Sequence, residues 1–176
     1  MSEKRQVSYF YDPEVGNYHY GNSHPMKPHR IQITNSLVLN YNLDKKMAIY
    51  KPRASTEFEL MRYHSREYIN FLQKIKPGNK EYFQKEMREF NVGEDSPVFA
   101  GMYDFVASYT GASVAAAQHL NTGLADIAVN WERFIINNHV YMCKFLYKYY
   151  RISLSGPVAF ITLKNQKLPV SVTSTT

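Results

Sequence analysis

Short β-rich runs alternate with segments of helical periodicity through the first 131 residues of this chain. The runs with strand character are residues 7–11, 47–50 and 126–130, and helical patterns separate them. Strands joined by helical crossovers lie parallel in one sheet. The alternation therefore predicts an α/β domain with a parallel sheet and flanking helices. Three strands are fewer than a doubly wound sheet contains, so we expect the domain to be truncated.

The helix starts carry capping chemistry. Thr56 and Glu59 form a capping box, Ser65 is a typical N-cap, and Pro28 suits a first helical position. The pattern of residues 81–89 predicts a polar helix. The predicted core faces are Ile33, Leu37 and Tyr41 in the first helix; Tyr68, Leu72 and Ile75 after Ser65; and Met102, Val106, Tyr109, Ser113, Ala116 and Leu120 in the long helix after Pro97.

The charge of the chain changes after Trp131. Residues 1–131 contain 15 Lys and Arg against 14 Asp and Glu, whereas residues 132–176 contain 6 against 1. The net charge of +6 therefore comes mainly from the second part, and it predicts no nucleic-acid surface on the first. We place a domain over residues 1–131 and an unrelated basic and aromatic tail over residues 132–176.

Cys143 is the only cysteine. A single cysteine excludes an intrachain disulfide and a cysteine-based zinc site, and it favours a reducing, intracellular setting. We find no signal peptide and no apolar run of roughly 18 residues, so we expect no membrane association.

A loop over residues 16–30 holds three histidines, a lysine, an arginine and two tyrosines. Loops beside strand ends bind ligands in many α/β proteins, but the loop also fits a proline-stiffened connection with solvated histidines. His24 and His29 are separated by two prolines, a poor geometry for a shared metal ion. The loop alone therefore predicts no metal site.

Asp95 and Trp131 also allow two interpretations. Asp95 or Ser96 before Pro97 is good chemistry for a helix start, while a carboxylate on a loop can accept hydrogen bonds from peptide N–H groups of a substrate. Trp131 follows a strand, where an aromatic side chain serves the core or the wall of a binding site.

Five motifs lie between residues 7 and 131: Tyr9–Asn17 (YFYDPEVGN), His24–Arg30 (HPMKPHR), Phe90–Phe99 (FNVGEDSPVF), Tyr109–Ser113 (YTGAS) and Asp126–Trp131 (DIAVNW). Together, and in this order, they resemble the beginning of class I histone deacetylases. The resemblance implies an arginase-like deacetylase fold, of which this chain carries the N-terminal part.

The resemblance also implies an activity, the zinc-dependent hydrolysis of acetyl-lysine. In that chemistry zinc polarises the acetyl carbonyl and activates a water molecule, histidines take its proton, and a tyrosine stabilises the oxyanion. The implied partners are acetylated histone tails and corepressor subunits in chromatin repression. The implied location is the nucleus, with the cytoplasm as a second place.

Individual residues match positions of the family's binding sites. Asp95 resembles the rim carboxylate that holds the substrate backbone, and Pro25 resembles part of the channel rim. His19 and Lys27 resemble residues that hold an inositol phosphate against a corepressor, although Ser23 stands where the family has glycine. Ser96 replaces the usual cysteine. The residues that resemble the inner pocket near the acetate exit are Tyr20, Met26, Arg30 and Trp131.

The resemblance ends at Trp131. The family continues with a glycine pair and two adjacent catalytic histidines, whereas this chain continues with Glu132 and has only His139 further on. The aspartate and histidine zinc ligands and the catalytic tyrosine segment are also missing. We therefore expect no catalytic residue, no metal ligand and no hydrolysis by this chain.

Two origins of the tail remain open: a natural short isoform, or translated non-coding sequence from splicing or a faulty gene model. Two functions also remain open. The chain is a piece of the family's enzyme, or it is a non-catalytic module that binds corepressor or inositol phosphate through His19, Lys27 and Arg30.

Overall fold

The structure is a computed structural model that describes residues 5–131 and 163–164. One sheet forms its centre, with strand order β2-β1-β3-β4. β1 pairs in parallel with both β2 and β3, which confirms the predicted parallel α/β arrangement, while the two-residue β4 pairs antiparallel with β3. The strands are β1 (Val7–Phe10), β2 (Ala48–Tyr50), β3 (Ile127–Asn130) and β4 (Leu163–Lys164).

Five α-helices connect or flank the strands in the described part of the chain. Two of the capping predictions are confirmed: Thr56 and Glu59 form a reciprocal capping box, and the Ser65 hydroxyl accepts a hydrogen bond from the N–H of Tyr68 at 3.2 Å. The prediction for Pro28 is wrong, because the first α-helix begins at Arg30 with His29 as its N-cap. The region predicted as one polar helix is a 3₁₀ segment, Pro77–Phe83, followed by a short α-helix. The helices are α1 (Arg30–Asn40), α2 (Glu57–Met61), α3 (Arg66–Lys74), α4 (Gln84–Glu89) and α5 (Met102–Asn121).

The predicted core face of α1 is wrong. Ile33 and Leu37 are each 52% exposed and Tyr41 is 73% exposed, whereas Ile31 and Val38 are buried. The 3₁₀ segment Pro13–Asn17 determines this rotation, because Gln32 donates hydrogen bonds to the Pro13 carbonyl and the Asn17 side chain. The apolar residues at spacing four therefore face away from the core.

α5 forms the centre of the core. Its small and apolar residues pack on the sheet in a cluster with Phe10 and Ala128. α5 begins at Met102 with Gly101 as its N-cap, so the interpretation of Asp95 or Ser96 as the start of this helix is wrong. The first turn of α5 belongs to a second cluster, in which Met102 packs with Phe71 and Leu72 of α3 and with Val92 of the segment before Pro97. The α5 residues that pack on the sheet are Ala112, Val114, Ala116, Ala117 and Leu120.

No helix within residues 5–131 is long and apolar enough to cross a membrane.

Candidate functional site

β1 and β3 end side by side at the same edge of the sheet. Their register pairs Phe10 with Asn130, so the next residues, Tyr11 and Trp131, leave the sheet as neighbours. Open α/β sheets bind ligands outside the carboxyl ends of parallel strands. This edge of the sheet is therefore the expected location of a ligand-binding site.

An aromatic cluster covers this edge. Its members come from the strand ends, the loop before α1, the segment before α5 and α5 itself. Three of the four residues predicted to line the inner pocket, Tyr20, Met26 and Trp131, belong to it, so the fold brings together residues that are far apart in sequence. The cluster consists of Tyr11, Val15, Tyr18, Tyr20, Met26, Ile31, Phe99, Phe105, Val106, Tyr109 and Trp131.

Arg30, the fourth predicted pocket residue, interacts electrostatically with Tyr20. Burial raises the pKa of the Tyr20 hydroxyl, and the neighbouring Arg30 charge partly opposes that rise. Burial lowers the pKa of Arg30, and Tyr20 opposes that shift in turn. The site therefore pairs a neutral phenol with a partly desolvated guanidinium, a donor that suits a carboxylate or a carbonyl oxygen.

The two predicted rim residues lie on adjacent loops. Asp95 is exposed on the loop before α5, and Pro25 is exposed on the loop before α1. His24 connects them, because it precedes Pro25 in sequence and its Nε2 lies 3.3 Å from the backbone oxygen of Asp95. Their contact with a substrate stays a prediction.

The two residues predicted to hold an inositol phosphate meet at one turn. His19 Nδ1 accepts a hydrogen bond from the Gly21 N–H at 3.0 Å. Lys27 donates from Nζ to the carbonyl oxygens of Gly21 and Asn22, each at 2.9 Å. Gly21 has a φ of +113°, which favours glycine because it has no Cβ. The fold therefore places the imidazole and the ammonium on the same turn.

The histidines of this loop have separate partners. His19 bonds to Gly21, His24 lies between Met26 and Asp95, and His29 lies 2.9 Å from the Gln32 side chain. Within residues 5–131, no group of three or more His, Cys, Asp or Glu side chains could hold a metal ion. A protein zinc site needs at least three such ligands, so the described residues do not fit the zinc that the resemblance implies.

Phe99 and Phe105 belong to the aromatic cluster, and neither was predicted from the sequence as a site residue. Tyr20 stacks on Phe99 with ring centroids 5.0 Å apart, and Phe105 contacts Tyr18 edge-on at the same distance. Tyr20, Phe99 and Phe105 also line a cavity of about 70 Å³ between α3, α5 and the segment before Pro97. The only sequence signals for these two residues are that Phe99 ends the motif Phe90–Phe99 and that Phe105 lies one turn into α5.

Asp12 is a second residue whose contacts were not predicted. It appears in the sequence only as part of the motif Tyr9–Asn17, but its carboxylate is buried and accepts hydrogen bonds from the Ser108 hydroxyl and the Glu14 N–H, each at 3.1 Å. Lys51 forms an ion pair with it at 3.5 Å. Asp12 thus ties the end of β1 to α5 beneath the aromatic cluster, and nothing local in the sequence indicates that contact.

Comparison with known proteins decides the family. The profile of the histone deacetylase domain matches residues 24–137, which is more than half of the chain and includes the second part of the loop before α1, the Asp95 loop, α5 and β3. This chain belongs to the histone deacetylase family. The resemblance to class I histone deacetylases that the five motifs indicate is confirmed.

Two relatives of this deacetylase-family chain are "Histone deacetylase 1" of Bos taurus and of Rattus norvegicus. Each is 54% identical to it over 128 residues, which are 73% of this chain and 27% of the relative. The chain therefore spans about a quarter of the length of these relatives. The predicted boundary at Trp131 lies near the end of the family match and stays a prediction.

Proposed function

We propose that the aromatic cluster, with Arg30 and Asp95, is the substrate side of a zinc-dependent lysine deacetylase. The observation that carries this proposal is the convergence of Tyr20, Met26 and Trp131, with Arg30 beside Tyr20, at the carboxyl ends of β1 and β3. The apolar surface of the cluster suits the side chain of an acyl-lysine, and the Arg30 guanidinium, a cationic hydrogen-bond donor, suits the acetate that is released.

The proposal also covers the fold, the substrate, the partners and the cellular location. We assign an arginase-like deacetylase fold, acetylated histone tails as substrate, and corepressor subunits as partners. The place of action is the nucleus, in chromatin repression, with the cytoplasm as a second location. Membership of the histone deacetylase family supports these assignments.

In this proposal the chain provides the substrate side of the site. It does not provide the reaction centre, which consists of the zinc ligands and the catalytic residues. Its 176 residues contain no two adjacent histidines, and residues 132–176 contain a single carboxylate, Glu132. Zinc, when bound in a deacetylase, supplies the Lewis acid that activates water and polarises the acetyl carbonyl. Here the residues of this chain would bind the acyl-lysine side chain and orient the substrate.

Trp131 allows a direct binding test, because it is the only tryptophan in the chain and belongs to the aromatic cluster. An acetyl-lysine peptide should change its fluorescence, and the unacetylated peptide should not. Met26→Ala should weaken binding about tenfold, since it removes apolar surface from the wall. Met47→Ala, outside the cluster, is the matched control. An equal response to both peptides would exclude this site.

Hydrolysis is tested separately. We expect no acetate release from an acetyl-lysine peptide when the purified chain is incubated with or without added zinc. Metal analysis after dialysis should find no stoichiometric zinc. Acetate release that a hydroxamate blocks, or one tightly held zinc ion per chain, would contradict the claim that the reaction centre is absent.

A second candidate function is a non-catalytic module that binds corepressor or inositol phosphate through His19, Lys27 and Arg30. The meeting of His19 and Lys27 at Gly21 favours it, since an imidazole and an ammonium on one turn suit a polyanion. Inositol hexakisphosphate should raise the melting temperature, because a ligand at 100 times its Kd stabilises a fold by about 2.7 kcal/mol. Lys27→Ala should abolish the rise and Lys45→Ala should preserve it. No rise at low salt would exclude this module.

A further inference from the structure

His24 bridges the two loops that carry the predicted rim. Its Nδ1 accepts a hydrogen bond from the N–H of Met26 at 3.1 Å, and its Nε2 lies 3.3 Å from the backbone oxygen of Asp95. Asp95 is 71 residues further along the chain. Both nitrogens of the ring are therefore engaged, which differs from the solvated histidines that one interpretation of this loop predicts.

The partners of the ring determine where its proton lies. A backbone N–H can only donate, so Nδ1 must accept from Met26, and in a neutral imidazole the proton then lies on Nε2. The Asp95 carbonyl can only accept, so Nε2–H donates to it.

Aromatic contacts hold the ring and the loop in place. The His24 ring packs edge-on against Tyr20, with centroids 5.0 Å apart and planes at 76°. Tyr20 stacks in turn on Phe99, which lies on the Asp95 loop. The contacts that hold that loop against the loop before α1 therefore include the His24–Asp95 hydrogen bond and the Tyr20–Phe99 stack.

We infer that His24 is a positioning residue that sets the location of the Asp95 carboxylate relative to the aromatic cluster by holding the Asp95 backbone carbonyl. This rests on the proposed function, in which Asp95 grips the substrate backbone and the cluster receives the acyl-lysine. The distance between these two contacts determines which substrates engage both at once, and His24 joins the loops that carry them.

Two amide substitutions separate the two bonds of the ring. In His24→Gln the side-chain N–H₂ lies near the position of Nε2 and can still donate to Asp95. In His24→Asn the shorter amide reaches only the position of Nδ1, so the bond to Asp95 is lost. Amide hydrogen exchange over residues 93–96, measured by NMR, should accelerate in His24→Asn and stay near the wild-type rate in His24→Gln. His29→Ala, in the same loop but bonded to Gln32, should leave these rates unchanged.

Peptide affinity then tests whether His24 acts through Asp95. His24→Asn should weaken binding of an acetyl-lysine peptide by about 2- to 10-fold, the effect of one net hydrogen bond. In an Asp95→Asn background it should have little further effect, because residues that act through one another are not additive. Trp131 fluorescence provides the affinity.

The outcomes distinguish this inference from the proposed function. Equal exchange rates in His24→Gln and His24→Asn, or fully additive losses with Asp95→Asn, would overturn the positioning role. If the wild-type chain binds no acetyl-lysine peptide, the proposed function fails. The exchange comparison still decides whether His24 holds the Asp95 loop.

Discussion

The backbone carbonyl of Arg53 lies directly against Gly111 of α5, so that a Cβ atom at Gly111 would overlap its oxygen and sit 2.9 Å from the Ser55 nitrogen. This approach lets the Ser55 N–H donate to the Ala107 carbonyl at 2.9 Å. The absence of a side chain at Gly111 therefore allows the segment before α2 to lie on α5.

Gly111→Ala should destabilise the fold by about 1–3 kcal/mol, because the neighbouring atoms belong to the backbone and cannot move aside easily. Urea denaturation followed by circular dichroism gives the free energy of unfolding. Gly78→Ala is the matched control, since nothing lies within 4 Å of a Cβ built there. If both variants lose the same stability, the contact with Arg53 is not the cause.

Ile31 and Ile33 offer a same-residue comparison of the two faces of α1. Ile31 is fully buried and packs in the aromatic cluster, whereas Ile33 is half exposed. Ile31→Ala should cost about 2–5 kcal/mol of unfolding free energy, and Ile33→Ala should stay within about 0.5 kcal/mol of wild type. If Ile33→Ala loses more unfolding free energy than Ile31→Ala in urea denaturation, the core face of α1 is the one that the sequence pattern predicts.

Glu59 should contribute stability that disappears in acid. Its pKa falls from 4.5 to about 2, chiefly because the Arg53 guanidinium donates hydrogen bonds to its carboxylate. A lowered carboxyl pKa stabilises the fold above the unfolded value, and this contribution is lost as the pH falls from 4.5 towards 2. Arg53 is largely exposed, so we expect about 1 kcal/mol or less.

The measurement for Glu59 is the difference in unfolding free energy between wild type and Glu59→Gln at several pH values. This difference should shrink between pH 4.5 and pH 2, the two values that bound the shift. Glu81→Gln, an exposed substitution, provides the baseline. A difference that is independent of pH would contradict the ion pair.

His64 should make the fold sensitive to mild acid. Burial lowers its pKa below 6.5, and its ring packs against Tyr63 and Tyr68. A base whose folded pKa is lowered binds more protons when unfolded, so its contribution is present above pH 6.5 and declines as the pH falls below that value. Wild type should lose stability there more steeply than His64→Phe, which keeps a ring. Parallel pH profiles of the melting temperature would count against this burial.

Local sequence chemistry predicted the elements whose cause is local. The capping box of Thr56 and the cap at Ser65 depend on atoms within three residues, and the chain around them supplies those atoms whatever the rest of the fold does. The three parallel strands were predicted for a similar reason, since short β-rich runs joined by helices have few arrangements.

Helix orientation could not be predicted in the same way. α1 carries apolar residues on more than one face, so periodicity alone offers both the Ile31 side and the Ile33 side. The choice depends on the hydrogen bonds of Gln32 to the segment before it and on the bond from the Tyr9 hydroxyl to the Asn35 side chain. These partners lie many residues away, and only the folded chain brings them close.

The family can be identified from the amino-acid sequence alone, because five motifs occur in the order of that family. The same motifs name the candidate residues of the substrate side. The contacts among these residues come from the folded chain: Tyr20, Met26 and Trp131 lie in one cluster, Arg30 lies beside Tyr20, and His24 contacts the Asp95 carbonyl. Such contacts depend on strand register and helix rotation, which long-range packing sets and which local sequence patterns do not encode.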